Sequence, residues 1–357
     1  MNETKTSPFF IYLSDTIDFM EKILQILSVF VLLVLVIKIF AKKPDKDFKE
    51  YYLFKRIVIN EGFLPVHFAL NTDNRHLFIL SQTKVFLIDM DTDEMKEQFS
   101  LAPGTKSMAV AHKWNRGFFS NAEAASLIVI DLKSLIILET RPVSGFEDGI
   151  LFFEPFSDQL FIFNRYKNCV LIIDPDKSTI KRSILLPGKL SCPVADETGN
   201  LYGIIKDENL IIEIDAFSGR VGRQWFIECG QGTGCVAIDK RNELLFTGCS
   251  NKKLGVFECK TARLLCVVEL GEVPDNVVFE PETGLIFVSN VSGTITILSR
   301  VKRDEYKIVQ HLQTEKGSGD MAVDSITKKI YLATPIPDPN TGDLASAACR
   351  LLVFSNE

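Results

Sequence analysis

A short run closed by an acid recurs along this chain, at Leu87-Ile88-Asp89, Val129-Ile130-Asp131, Ile172-Ile173-Asp174 and Glu213-Ile214-Asp215. Val256-Phe257-Glu258 keeps the acid, whereas Ile297-Leu298-Ser299 and Val353-Phe354-Ser355 carry serine in its place. The closing positions are 42, 43, 41, 43, 41 and 56 residues apart, a period with one insertion. A unit of that size cannot bury its own apolar faces. It has to stack against copies of itself, and this limits the chain to an array of similar pieces.

The unit is clearest between residues 275 and 299. Val277-Val278-Phe279 is an apolar run stopped by Glu280-Pro281-Glu282-Thr283-Gly284, where proline cannot donate to a ladder and glycine tolerates a positive φ. Residues 285–289 form the next strand and 290–293 a second turn. Residues 294–298 then resume with the Thr-Ile-Thr-Ile alternation expected of a half-buried strand. Turns such as Pro175-Asp176-Lys177-Ser178 and Ala216-Phe217-Ser218-Gly219 lead into edge strands at 179–186, 221–228 and 263–270. Four strands at this period read as propeller blades. The expected fold is therefore all-β, a seven-bladed β-propeller over residues 51–357. Its inner strands are expected at 66–70, 107–111, 150–154, 192–196, 235–239, 276–280 and 320–324. The seventh blade reaches Phe354 with three strands, and residues 51–59 supply the fourth, which removes the last open edge.

On these repeats the chain resembles the YVTN-type β-propeller repeat family. Ile286-Phe287-Val288-Ser289-Asn290 and Phe161-Ile162-Phe163-Asn164 are the nearest matches to its naming motif, and the likeness spans about residues 51–357. The resemblance implies fold more strongly than activity. It also implies an enzymatic alternative, since lactonases and subunits of quinoprotein oxidoreductases share such folds. WD repeats fit less well, because Trp114 and Trp225 lack the following acid, and kelch repeats would show paired glycines.

Residues 1–22 form an N-terminal flank without the basic start of a secretory signal. Residues 23–41, ILQILSVFVLLVLVIKIFA, hold only Gln25 and Lys38 as strongly polar members. As a helix they span about 28 Å, close to one hydrocarbon thickness, so a single transmembrane anchor is expected there. Residues 42–50 make a basic tether. Lys38, Lys42, Lys43, Lys46 and Lys49 crowd this side, and the positive-inside rule places the propeller in the cytoplasm. The YVTN resemblance implies the extracytoplasmic or periplasmic side, which stands as the alternative to the expected cytoplasmic one. A net charge of −6 speaks against a nucleic-acid partner. Eight cysteines include no Cys-x-x-Cys pair, and several lie in expected strands, which reads as buried reduced thiols.

In a four-stranded blade, the loop into the inner strand and the loop between strands two and three fall on one face, called upper below. The insertion at 334–348, with Pro335, Pro337, Asp338, Asn340 and Asp343, overhangs that face and is the expected partner-binding loop. Asp148, Asp275 and Asp320 begin inner strands. They are expected at the mouth of the central channel, where carboxylates would suit calcium or magnesium; no other cofactor is expected. Gly230-Gln231-Gly232-Thr233-Gly234 reads as a turn, because a strand and not a helix follows it. His67, His76, His112 and His311 lack metal-ligand spacing, and no nucleophile or paired-acid motif is visible. The expectation is a membrane-anchored, non-enzymatic platform for a protein or peptide partner.

Overall fold

The computed structural model describes residues 48–59, 67–81, 83–143, 149–164, 166–317, 319–336 and 348–357. The chain divides into two units, Met1–Phe48 and Lys49–Glu357. The expected anchor at 23–41 lies outside the described residues. Among the described residues no helix is long and apolar enough to cross a membrane.

The second unit holds seven four-stranded antiparallel sheets. Blade one is β2 (His67–Asn71), β3 (His76–Leu80), β4 (Lys84–Asp89) and β5 (Glu94–Ser100). Blade two is β6 (Thr105–Ala111), β7 (Arg116–Asn121), β8 (Ser126–Asp131) and β9 (Ile137–Pro142). Blade three is β10 (Gly149–Glu154), β11 (Gln159–Asn164), β12 (Cys169–Asp174) and β13 (Thr179–Leu185). Blade four is β14 (Leu190–Ala195), β15 (Asn200–Ile205), β16 (Leu210–Asp215) and β17 (Val221–Phe226). Blade five is β18 (Gly232–Asp239), β19 (Leu244–Cys249), β20 (Lys253–Glu258) and β21 (Leu264–Glu269). Blade six is β22 (Pro274–Glu280), β23 (Leu285–Asn290), β24 (Thr294–Lys302) and β25 (Glu305–Gln313). Blade seven has the order β1-β28-β27-β26, with β26 (Met321–Val323), β27 (Ile330–Ile336) and β28 (Ala348–Ser355) closed by β1 (Tyr52–Ile59). The expected closure by the chain's start is what the structure shows, Tyr52 pairing with Ser355 and Ile59 with Cys349. The inner strands β2, β6, β10, β14, β18, β22 and β26 follow one another around the axis.

Burial follows from the radial order, because strands two and three of each blade lie between two neighbouring sheets. Leu244, Leu245 and Phe246 are fully buried, and Phe161 with Phe163 packs across to Leu201 and Ile212 of blade four. This corrects the half-buried reading of residues 294–298, which are buried on both faces. The Asn290 amide donates to the hydroxyls of Thr294 and Thr296 at 2.9 and 3.0 Å, so the alternation is one of satisfied hydroxyls, not of solvent exposure.

The acid that sets the period is a turn device. The Oδ1 atoms of Asp89, Asp131 and Asp174 accept backbone N–H groups two and three residues on, and that of Asp215 accepts the N–H of Ser218. The fourth residue after each acid, Asp93, Leu135, Ser178, Gly219 or Ala262, adopts a positive φ and donates its N–H to the acid's own carbonyl. In each blade the edge strand also slips register close to this turn, for example between Leu87 and Ile88 or Ile172 and Ile173. The bulge twists the exposed edge away from foreign strands.

Two sequence readings change. Pro335 is buried in β27 opposite Cys349, not in the loop. Ala333 directs both its N–H and C=O toward the β26 side, so the nitrogen of Pro335 turns the same way, where β26 no longer pairs and no donor is missed. Pro337, Asp338, Asn340 and Asp343 lie outside the described residues. The cysteines are not all free thiols: Cys229 and Cys249 are joined across blades four and five, with Cα atoms 6.6 Å apart.

Among the described residues, the seam where blade seven meets blade one carries the buried acids Asp93 and Asp324. Arg75 clasps the fully buried Asp324 with two hydrogen bonds of 2.7 and 2.6 Å, and Asp93 takes Lys329 and, at 2.7 Å, the Tyr331 hydroxyl. Burial alone would raise the Asp324 carboxyl, but Arg75, the Thr327 hydroxyl and two backbone amides override it and hold the group well below the carboxylate range. The stability that follows is complete above the unfolded value near 3.9 and is lost as pH falls through the folded one. Arg75→Ala, which strands that carboxylate, is expected to cost about 3–5 kcal/mol in urea unfolding at pH 7. Arg241→Ala, whose pair with Glu282 is exposed on both sides, should leave the midpoint unchanged. Equal losses in the two variants would refute the seam as the weight-bearing joint.

Candidate functional site

The inner strands bring their first residues to the upper mouth of the channel, and four of them bulge there. The register breaks between Thr105 and Ser107, between Ser191 and Val194, between Gly232 and Val236, and between Pro274 and Asn276. A bulge re-aims the extra residue. Lys106, Cys192 and Asp275 are exposed, while Thr105, Ser107 and Pro274 beside them are buried. Cys192 holds a φ of 46°, a left-handed conformation that non-glycine residues seldom adopt.

The loops that lead to the mouth are tied down. The Asn121 amide donates to the carbonyls of Ala102 and Pro103, and Ser107 Oγ accepts the Leu151 N–H at 3.0 Å from the next blade. The glycine-rich loop is a turn running into β18, as its sequence implies. Asn209 accepts the Gly232 N–H at 2.9 Å, and Gln231 reaches the Lys206 carbonyl at 2.7 Å. Gly230, at a φ of 145°, lies where a Cβ would strike the Asn251 side chain at 2.6 Å, so a larger residue cannot replace it without moving Asn251.

Of the three carboxylates placed here from sequence, Asp148 lies outside the described residues. Asp320 senses the field of Asp275, His67 senses that of Asp320, and Cys192 senses both carboxylates. Burial raises the Asp320 carboxyl above its ordinary value; neighbouring Asp275 adds to this, and His67 and the Phe68 N–H oppose it. Burial likewise raises Asp275 against the pull of Lys206. Burial pushes the His67 imidazole down despite Asp320, and pushes the Cys192 thiol up to about 12, with Cys235 and Asp320 adding to it. Cys192 keeps some surface exposed although protein crowds its thiol. Neither Asp275 nor Asp320 closes an ion pair with another described residue. His67 was read from sequence as structural, and nothing in its spacing links it to an acid 253 residues away. Lys106 and Cys192 gave no signal, because a bulge depends on the register of two strands. Among the described residues, no three His, Cys, Asp or Glu side chains converge closely enough to hold a metal ion.

A carboxyl whose folded pKa is raised adds stability below its unfolded value and loses it as pH rises through the folded one. Ionised Asp320 is thus a cost at neutral pH. Asp320→Asn is expected to raise Tm at pH 7.5 by about 2 °C and to give no gain at pH 3; a fall at pH 7.5 would contradict the desolvated carboxylate.

No protein-family model matches this chain, and no curated protein matches it. Solved structures do. The WD40 repeats of RRP9 superpose with a TM-score of 0.69 at 9% identity, covering 85% of this chain and 100% of that one. U3-55K gives 0.68 at 9%, covering 83% and 98%. A chain of the mitotic checkpoint complex gives 0.70 at 12%, covering 88% and 95%. At such identities the likeness is one of fold, a seven-bladed β-propeller with WD40 domains as structural neighbours.

Proposed function

We propose that this propeller is a non-enzymatic platform for a protein or peptide partner, and that the channel mouth on its upper face grips a cationic side chain of that partner. The observation that carries this reading is the pair Asp275, in β22, and Asp320, immediately before β26, two carboxyls that burial raises and that make no ion pair among the described residues. A lysine or arginine brought between them supplies the missing countercharge and turns a stability cost into binding energy. The arrangement is preorganised, so little ordering is needed on association. The WD40 fold of the neighbours and the net charge of −6 support a protein partner over a nucleic acid. The strand ends that flank the insertion, Ile336 and Ala348, lie directly opposite each other, and in this reading the insertion contributes to partner binding. Residues 23–41 hold the platform at a membrane in this reading, and the repeat is of the YVTN type.

A second reading, a calcium or magnesium ion at the mouth of a lactonase-like or quinoprotein-like enzyme, draws on the same two carboxylates. Both ions ask for more oxygen ligands than Asp275 and Asp320 provide.

Selection of immobilised random 12-residue peptides by the purified full chain tests the first reading. Captured peptides should be enriched in Lys or Arg, and the enrichment should vanish in Asp275→Asn/Asp320→Asn with the fold intact by circular dichroism. Deleting 337–347 should lower capture several-fold at unchanged Tm. Identical enrichment in the double variant defeats the proposal. One equivalent of calcium or magnesium by calorimetry, lost in that variant, transfers the site to the second reading.

A further inference from the structure

The lower face carries the turns between strands one and two and between strands three and four, and in most blades the acids there are consumed by capping their own turns. Blade six departs from this. Its period position is Ser299, and its third strand, β24, runs nine residues where those of blades one to five run six. A second register slip, between Arg300 and Lys302, accompanies the extension. The lengthened hairpin carries Arg300, Lys302 and Arg303 beside Arg241 of blade five, and between them opens a recess of about 420 Å³. Four cations and one carboxylate, Glu243, line it.

These cations are only partly neutralised. Lys302 bonds to Glu305 at 2.8 Å and Arg303 to Glu258, and Glu243 is drawn off by Lys260 at 2.8 Å. Arg300 and Arg241 reach their nearest carboxylates, Asp239 and Glu282, only at 3.8 Å, beyond hydrogen-bonding distance. Two guanidinium forks therefore keep donors free of any carboxylate, in a concave site wide enough for a side chain with its flanking residues.

The geometry points to this recess as a binding site for a phosphomonoester dianion carried on a peptide side chain. Planar guanidinium groups match phosphate oxygens two at a time, and a dianion gains from several cations at once. A bilayer or a nucleic-acid strand presents many phosphates over a broad front and requires a wide cationic surface. Here Glu282, Glu305 and Glu258, each paired with one cation of the recess, would repel such a front, whereas a single phosphorylated side chain meets the recess itself. The site lies on the face opposite the channel mouth. It shares with the proposed function only the supposition of a peptide partner, so the two fail independently.

Fluorescence anisotropy on the full chain decides it, with a labelled Gly-Ser-Gly peptide, its phosphoserine form and inorganic phosphate as competitor. The phosphopeptide should bind at least tenfold more tightly than its unphosphorylated twin. Arg241→Ala/Arg300→Ala should weaken it tenfold or more. Because Arg300→Ala strands the buried Asp239, Arg241→Gln/Lys302→Gln, at two exposed positions, serves as the variant that keeps the fold and should weaken binding about fivefold. Equal affinity for both peptides, no binding at millimolar concentration, or binding unchanged in both variants overturns the proposal. Competition by inorganic phosphate at the peptide's own affinity overturns the peptide as source. Sedimentation with phosphatidylserine vesicles that drops in Arg241→Gln/Lys302→Gln would assign the recess to lipid and overturn it likewise.

Discussion

Everything in this molecule depends on a ring being closed. Each blade is a sheet apolar on both faces, and each face finds its cover only on the next blade, so an open ring would leave two such faces in water. Loss of one buried phenylalanine there costs about 3–5 kcal/mol, and an open seam exposes many such residues at once. Closure uses two devices of different kind. Backbone pairing of β1 with β28 joins the chain's start to its end, and Tyr51 is held in the same act by the Gln310 side chain of blade six, which accepts its N–H at 2.8 Å and donates to its carbonyl at 2.7 Å. The charge cluster of Arg75, Asp324, Asp93, Lys329 and Tyr331 then locks blade seven to blade one. Breaking a buried pair is far costlier than never having made it, so this cluster selects one register of closure over near alternatives.

The repeat that made the fold legible is largely a record of turn chemistry. The acid at the end of strand three binds the amides of its own turn, and asparagines that end second strands do the same one turn earlier. Asn121 accepts from Ala124, and Asn164 accepts from Tyr166 and Lys167. These interactions are local, so sequence spacing alone located them, and with them the seven inner strands and the closing strand. The left-handed position four residues past each acid was not legible. It is filled by Asp93, Leu135, Ser178, Gly219 and Ala262, since the local hydrogen bonds outweigh the modest preference for glycine at a positive φ.

What the sequence concealed were relations between residues far apart. Arg75 and Asp324 are 249 residues from one another, and His67 meets Asp320 only because the ring returns there. Pairing of that kind has no local signature. Thr296 was misread for a related reason: an alternating strand implies one wet face only where a single sheet meets water, and in a propeller the second face meets another blade.

A repeat protein contains its own controls. Five blades show what the acid at the period position does and how long the strand before it needs to be, so a blade that discards the acid and lengthens the strand has been released from that duty. Blade six does both at Ser299, in the place where arginines gather. The same comparison sets apart the bulged inner strands, because a straight β10 completes its ladder from Gly149 to Glu154 without expelling a residue, whereas β6, β14 and β22 each expel one that is exposed. Regular positions carry the architecture, and departures from regularity, which cost stability, persist where something other than the architecture requires them.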